Sequence, residues 1–169
     1  MSGIDADDVV LGEVGIEAGS PLRAVLETRA DVLAMTQATH DAALRPRDPG
    51  GLTHGERAAL ATRIARLNRE EGLAAHYEAM RRETKSSQET AGMADPAFKG
   101  AAGTRLAAII AYTDLASLSP KDARAQDIQS LKDAGIDDAD IVRLAELNAF
   151  LAYQIRLVAG LRLMKERGQ

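Results

Sequence analysis

The chain has 169 residues and a net charge of −4, with 46% hydrophobic and 27% charged residues, the profile of one ordinary globular domain with a sizeable core. It has no cysteine, which excludes disulfides, thiolate-bound metal and thiol redox chemistry within the chain. The acidic balance argues against nucleic acid or an anionic membrane as the main partner, because both need a basic surface.

Aromatic residues make up only 3% and Trp is absent, so the core must come from Ala, Leu, Ile and Val. An alanine-rich, aromatic-poor chain favours closely packed helices over sheet. The first residues, "MSGIDADDVV", are acidic and lack the basic start and apolar centre of a signal peptide. No apolar run approaches the length of a membrane span, and a cytoplasmic location is the expectation.

Residues 1–19 show no clean period and are rich in Gly and Asp, which predicts an extended arm with at most a short turn of helix. The rest, residues 20–169, reads as a single domain. Ser20 as N-cap and Pro21 at the first helical position open a helix through "SPLRAVLETRADVLAMTQATHDAAL", and "RPRDPGG" ends it. Thr53 and Glu56 then have the capping-box spacing at the start of "THGERAALATRIARLN", with Leu60, Ile64 and Leu67 as its inward stripe. "REEG" marks a kink or a short break before "LAAHYEAMRRE", and the polar stretch from Thr84 to Gly103 is the longest loop.

"TRLAAIIAYTDLASLS" is an apolar helix that Ser119-Pro120 closes. "DARAQDIQSLKDAG" is a short amphipathic helix capped by Gly135. The longest helix follows Asp137 as N-cap and carries Ile141, Leu144, Ala145, Asn148, Leu151, Ala152, Ile155 and Val158 at helical spacing. Leu147, Phe150, Leu157 and Leu161 lie off that stripe. A helix apolar on more than one face buries more than one face, and a second subunit is one way to do so. The sum is an all-α bundle of six or seven helices.

The order and content of "GSPLRAVLETRADV", "TQATHDAAL", "GLTHGERAALATRIARLN", "LAAHY", "LAAIIAYTDLASLSP" and "LKDAGIDDADIVRLAELNAFLAYQIRLVAGL" resemble the carboxymuconolactone decarboxylase and alkylhydroperoxidase-D-like superfamily. The likeness runs from about Ser20 to Leu163 and is nearest to the peroxidase-related branch found in bacteria. The resemblance implies an alkylhydroperoxidase-D-like helical bundle that assembles into dimers, trimers or hexamers. In thiol-active relatives, the segment matching "LNREEGLAAHY" carries a Glu, a C-x-x-C pair, and a His four residues after the second cysteine.

By that resemblance His76 matches the family histidine, and counting back from it puts the cysteine positions on Gly72 and Arg69. Counting forward from Asn68 shifts the register by one. Either way no thiol is present, so a peroxidatic mechanism is excluded whatever label the family carries. The family acid falls near Arg57, whereas the carboxylate here is Glu56, about 100° away on a helix of roughly 3.6 residues per turn.

What remains suits proton transfer on a small organic acid or lactone, as on the decarboxylase side of the superfamily. His76 is the candidate general acid or base, because its ordinary pKa lies near neutrality. Glu56, Glu70 or Glu71 would orient it, Arg69 or Arg66 would hold a substrate carboxylate, and Tyr77 would donate a hydrogen bond. Each also has a plain structural reading: His76 as a packed core histidine, Glu56 as half of a capping box, "REE" as a solvated junction. Asn148 reads as a buried amide bonding across helices or subunits, and Tyr153, Gln154 and Arg156 as pocket, interface or surface residues. His40 and His54 have no partners at metal-ligand spacing, and no metal or cofactor motif is present. Two alternatives stand beside the enzyme: a non-catalytic oligomeric scaffold that binds a small ligand or partners a thiol-containing homologue, and a peroxidase-related antioxidant protein.

Overall fold

The computed structural model describes residues 8–167. Among them are nine α-helices, one 3-10 turn and no strand. The helices are α1 (Val9–Val14), α2 (Pro21–Glu27), α3 (Ala30–Leu44), α4 (His54–Leu67), α5 (Glu71–Glu83), α6 (Gln88–Gly92), α7 (Arg105–Leu118), α8 (Ala125–Asp133) and α9 (Asp138–Arg167). The 3-10 turn covers Pro120–Asp122.

The all-α expectation holds, but the helix count exceeds six or seven for three local reasons. Within the expected arm, Asp8 accepts the Leu11 N–H at 2.9 Å and starts α1, whose Val10, Leu11 and Val14 are buried. That helix packs on α9. Residues 1–7 of the arm lie outside the described residues. The helix expected from Ser20 to Leu44 is two helices, because the Thr28 hydroxyl bonds back to Val25 O at 2.7 Å and Arg29 leaves the helical region at φ −129°. The long loop contains α6, capped by Ser87, whose hydroxyl accepts the Thr90 N–H at 3.1 Å.

The sequence signals for helix ends are used as read. Ser20 accepts the Arg23 N–H at 3.2 Å. Thr53 and Glu56 close a capping box, with Thr53 N–H donating to Glu56 Oε2 at 2.8 Å. Gly135, at φ 81°, lets Ile136 N–H turn back onto Leu131 O at 3.1 Å and finish α8. "REEG" is a true break: α4 ends at Leu67, α5 begins at Glu71, and Arg69 between them sits at φ 61°.

Helix α4 is the centre of the bundle. It pairs with α5 along most of its length and also touches α3, α6, α7 and α9. Every residue from Gly55 to Ala65 is buried, so the single inward stripe expected for α4 is a whole buried cylinder. Four of its alanines, at 58, 59, 61 and 65, let neighbours approach closely. The price of burying all faces is that its polar side chains need partners inside. Arg63 is fully buried and donates to both carboxylate oxygens of Asp114 on α7, at 2.5 and 2.7 Å. It also donates to the carbonyls of Met93, Asp95, Pro96 and Phe98, fixing the segment after α6.

Leu147, Phe150 and Leu161 of α9 are buried within this chain, as is the main stripe from Ile141 to Val158 apart from half-buried Ala145 and Ala152. The second apolar face of α9 therefore needs no second subunit to cover those three residues. No helix among the described residues is long and apolar enough to cross a membrane.

Two substitutions on α4 are expected to differ in size. Thr53→Ala removes one cap and should cost about 1 kcal/mol. Arg63→Ala leaves Asp114 with only Lys99, at 2.9 Å, and strips four carbonyls of their donor. Its cost is expected at about 3–5 kcal/mol. Denaturant unfolding of both variants checks the order; an Arg63→Ala loss no larger than that of Thr53→Ala would contradict the buried staple.

Candidate functional site

Helix α5 turns His76 toward α3, where it meets His40, with the two Nε2 atoms 3.3 Å apart. His40 is buried and its Nδ1 lies 2.9 Å from Asp41 Oδ1. The neighbouring Gln37 amide is oriented by Val9, whose N–H donates to Gln37 Oε1 at 3.1 Å. Gln37 Nε2 is thereby left to donate to Asp41 Oδ1 at 3.0 Å.

With both rings neutral, these contacts assign the protons, although Gln37 Nε2 also lies 3.4 Å from His40 Nδ1. An ionised carboxylate only accepts, so His40 Nδ1 carries a hydrogen and donates it to Asp41. Neutral His40 then presents a lone pair at Nε2, and His76 Nε2 must carry the hydrogen that fills it. The basic nitrogen of His76 is therefore Nδ1, which has no hydrogen-bond partner among the described residues. The order Asp41, His40, His76 is a relay in which a carboxylate fixes one imidazole and that imidazole fixes the next.

His76 is half-buried, and its pKa is pushed down to about 4. Burial is the main cause, with the His40 ring and the Arg45 guanidinium adding to it and Glu83 opposing. Arg45 and Glu83 form an ion pair at 2.5 Å between the ends of α3 and α5. Tyr77 and Phe150 complete the wall around His40, with ring centroids at 5.9 and 6.1 Å.

The other sequence candidates, Tyr77 apart, are placed elsewhere, whereas the Tyr77 ring lies edge-on to His76 at 5.0 Å. Glu56 Oε2 serves Thr53, and Glu56 Oε1 pairs with Arg105 at 2.5 Å, so its carboxylate is committed at the start of α4 and α7. Glu70 pairs with Arg162 of α9 at 2.5 Å, and Glu71 is exposed. Arg69 is exposed in the α4–α5 break and is not among the charges acting on His76. Arg66 donates to Ala94 O at 2.8 Å. Tyr77 is fully buried and gives its hydroxyl hydrogen to Gln154; burial pushes its phenol well above the usual value, so it is a structural donor.

His54 bonds Pro46 O at 2.8 Å. Asn148 donates within its own helix, to Leu144 O at 2.9 Å, rather than across helices. Tyr153 shares a hydrogen bond of 2.9 Å with Thr36, and exposed Arg156 donates to Ala152 O.

Of the two positions where the resemblance expects cysteines, a Cβ at Gly72 would meet the Glu13 carboxylate, so that side chain would have to swing aside. Among the described residues no group of three or more His, Asp or Glu is arranged to hold a metal ion.

His40, Asp41 and Arg45 were not singled out as partners of His76 from the sequence. One signal was present: Leu33, Thr36, His40 and Leu44 recur at helical spacing, and all four are buried on one face of α3. The meeting of His40 with His76 of α5 is tertiary and has no local signature. Compared with protein-family models, with curated proteins and with solved structures, the chain has no match in any of the three.

The depressed pKa makes stability depend on pH. In the unfolded chain His76 titrates near 6.5, and in the folded protein near 4. Between those values the unfolded chain takes up a proton that the folded chain does not. The contribution of His76 is fully present above pH 6.5 and is lost as pH falls toward 4. The urea midpoint is expected to fall across that window, and His76→Phe to flatten the slope. Equal slopes in the two proteins would contradict the shift.

Proposed function

We propose that this chain is a cysteine-free relative of the carboxymuconolactone decarboxylase and alkylhydroperoxidase-D-like superfamily that moves protons on a small organic acid or lactone through His76. The observation that carries the reading is the Asp41–His40–His76 relay, which leaves His76 Nδ1 without a protein partner. In the proposed step, Nδ1 takes a proton from the carbon beside a carbonyl. The C–H electron pair moves onto the carbonyl oxygen as an enolate. The imidazolium then returns a proton to carbon.

Desolvation keeps His76 neutral and ready to accept at neutral pH. An anionic substrate beside the ring raises its pKa again. Arg45 is the guanidinium whose charge His76 feels, so it replaces Arg69 as the anchor for a substrate carboxylate, taking the place of Glu83. A cytoplasmic homo-oligomer belongs to the same reading.

A second reading, a non-catalytic oligomeric scaffold, is favoured by exposed apolar side chains. Val25 of α2 and Leu163 and Met164 of α9 are each more than half exposed. On either reading light scattering should give at least twice the chain mass of 18.0 kDa, and a mass near 18.0 kDa would contradict both.

Exchange in D2O separates the two. With a panel of small carboxylic acids and lactones, the enzyme is expected to wash deuterium into the carbon beside the carbonyl. His76→Gln should lower that rate by about 10²–10⁴-fold, the range of general acid–base catalysis. Asp41→Asn should lower it less, and Arg45→Ala should raise KM. Exchange no faster than buffer, or unchanged in His76→Gln, would leave the scaffold reading.

A further inference from the structure

A groove of about 700 Å³ runs between α3 and α9, within the size range of small-molecule sites. Its walls are apolar, with Val32 and Met35 from α3 and Leu147, Phe150 and Tyr153 from α9. Its polar groups are sorted by depth. Asp48 and Glu146 border it and are exposed, whereas Arg57 of α4, also a lining residue, is 3% exposed.

Arg57 is an unusual cation. Its Nε donates to Leu52 O at 2.8 Å, and its two terminal nitrogens donate to Ala43 O at 2.9 Å and Pro49 O at 3.1 Å. These bonds hold the α3–α4 connection but carry no neutralising charge. No carboxylate forms an ion pair with Arg57 among the described residues. The other arginine of the lining, Arg143, is paired with Asp140 at 2.9 Å. Burial and the charge of Arg143 push the Arg57 guanidinium below its usual pKa, while Asp140, Glu146 and Glu56 support its charge from a distance. A guanidinium has five N–H donors, so two remain for a ligand.

We propose that this groove binds an amphipathic monocarboxylate, with the carboxylate on Arg57 and the apolar body along Met35, Phe150 and Tyr153. A carboxylate can accept from the N–H left on each terminal nitrogen, and a single negative charge is what that cation lacks. The acidic rim disfavours a more highly charged anion such as phosphate. The site does not rest on the reading of His76: neither His76 nor His40 lines the groove, and Phe150 borders it while also meeting the His40 ring edge-on.

The probes are octanoate and 1-octanol, which share an apolar tail and differ in charge. Side-chain NMR titration of the full chain is expected to give saturable octanoate binding, with shifts at Met35, Tyr153 and Arg57. Octanol should bind at least about tenfold more weakly, as expected for loss of a charge-assisted hydrogen bond. Arg57→Gln should make the two probes equal. Because Arg57 also holds a connection, Met35→Glu, at a side chain 59% exposed, gives a second variant that retains the fold. It should weaken octanoate and leave thermal unfolding unchanged. Four results would overturn the site: no saturable octanoate binding, equal affinity for octanol, unchanged affinity in Met35→Glu, or a groove already closed by a second copy. The last would appear as a dimer in which Met35 and Tyr153 are shielded without any probe.

Discussion

A helix buried on every side cannot leave its charges to water, and that constraint on α4 organises the rest of the molecule. From Gly55 to Ala65 the helix is enclosed, yet it carries Glu56, Arg57 and Arg63. Each finds its partners in a different connecting segment or helix start. Glu56 bonds Thr53 and reaches Arg105 at the start of α7. Arg57 gathers carbonyls from Ala43, Pro49 and Leu52 on the way from α3 into α4. Arg63 gathers those from Met93 to Phe98 and pairs with Asp114. The short connections are thus tied to the central helix by its own polar side chains.

The same constraint decides where chemistry remains possible. The carboxylates nearest the centre are already bound to arginines, and Tyr77 is shut in with Gln154. The half-open face of α5 is different. There His76 meets a second imidazole instead of a cation, and the carboxylate that orients the pair, Asp41, stands on α3 at the exposed end of the chain of bonds. All three residues sit on helices, which hold a relay more rigidly than loops do.

How much of this was legible from the residues depended on whether the signal was local. Ser20-Pro21, the Thr53/Glu56 box, Asp137 and Gly135 set helix ends through bonds three or four residues long, and they were readable. The break at Thr28 came from a hydroxyl turning back on its own helix, without the Gly or Pro that announces a stop. Helix α1 was hidden by "GIDADD" before it and a short apolar run, and becomes necessary only when α9 needs cover. Nothing in the local sequence marks Arg57 and Arg63 as buried, because their partners are mostly backbone carbonyls, which no side-chain spacing encodes. His76 was readable as a candidate, but His40, Asp41 and Arg45 lie 31 or more positions away from it, and only tertiary side-chain contacts between α3 and α5 join them.

The most direct measurement is the 15N NMR spectrum of the histidine side chains across the pH range. The relay requires His40 to carry its proton on Nδ1 and His76 to carry its proton on Nε2, with a bare Nδ1 that stays neutral until about pH 4. A His76 protonated on Nδ1, or one that titrates near its ordinary pH 6.5, would contradict it.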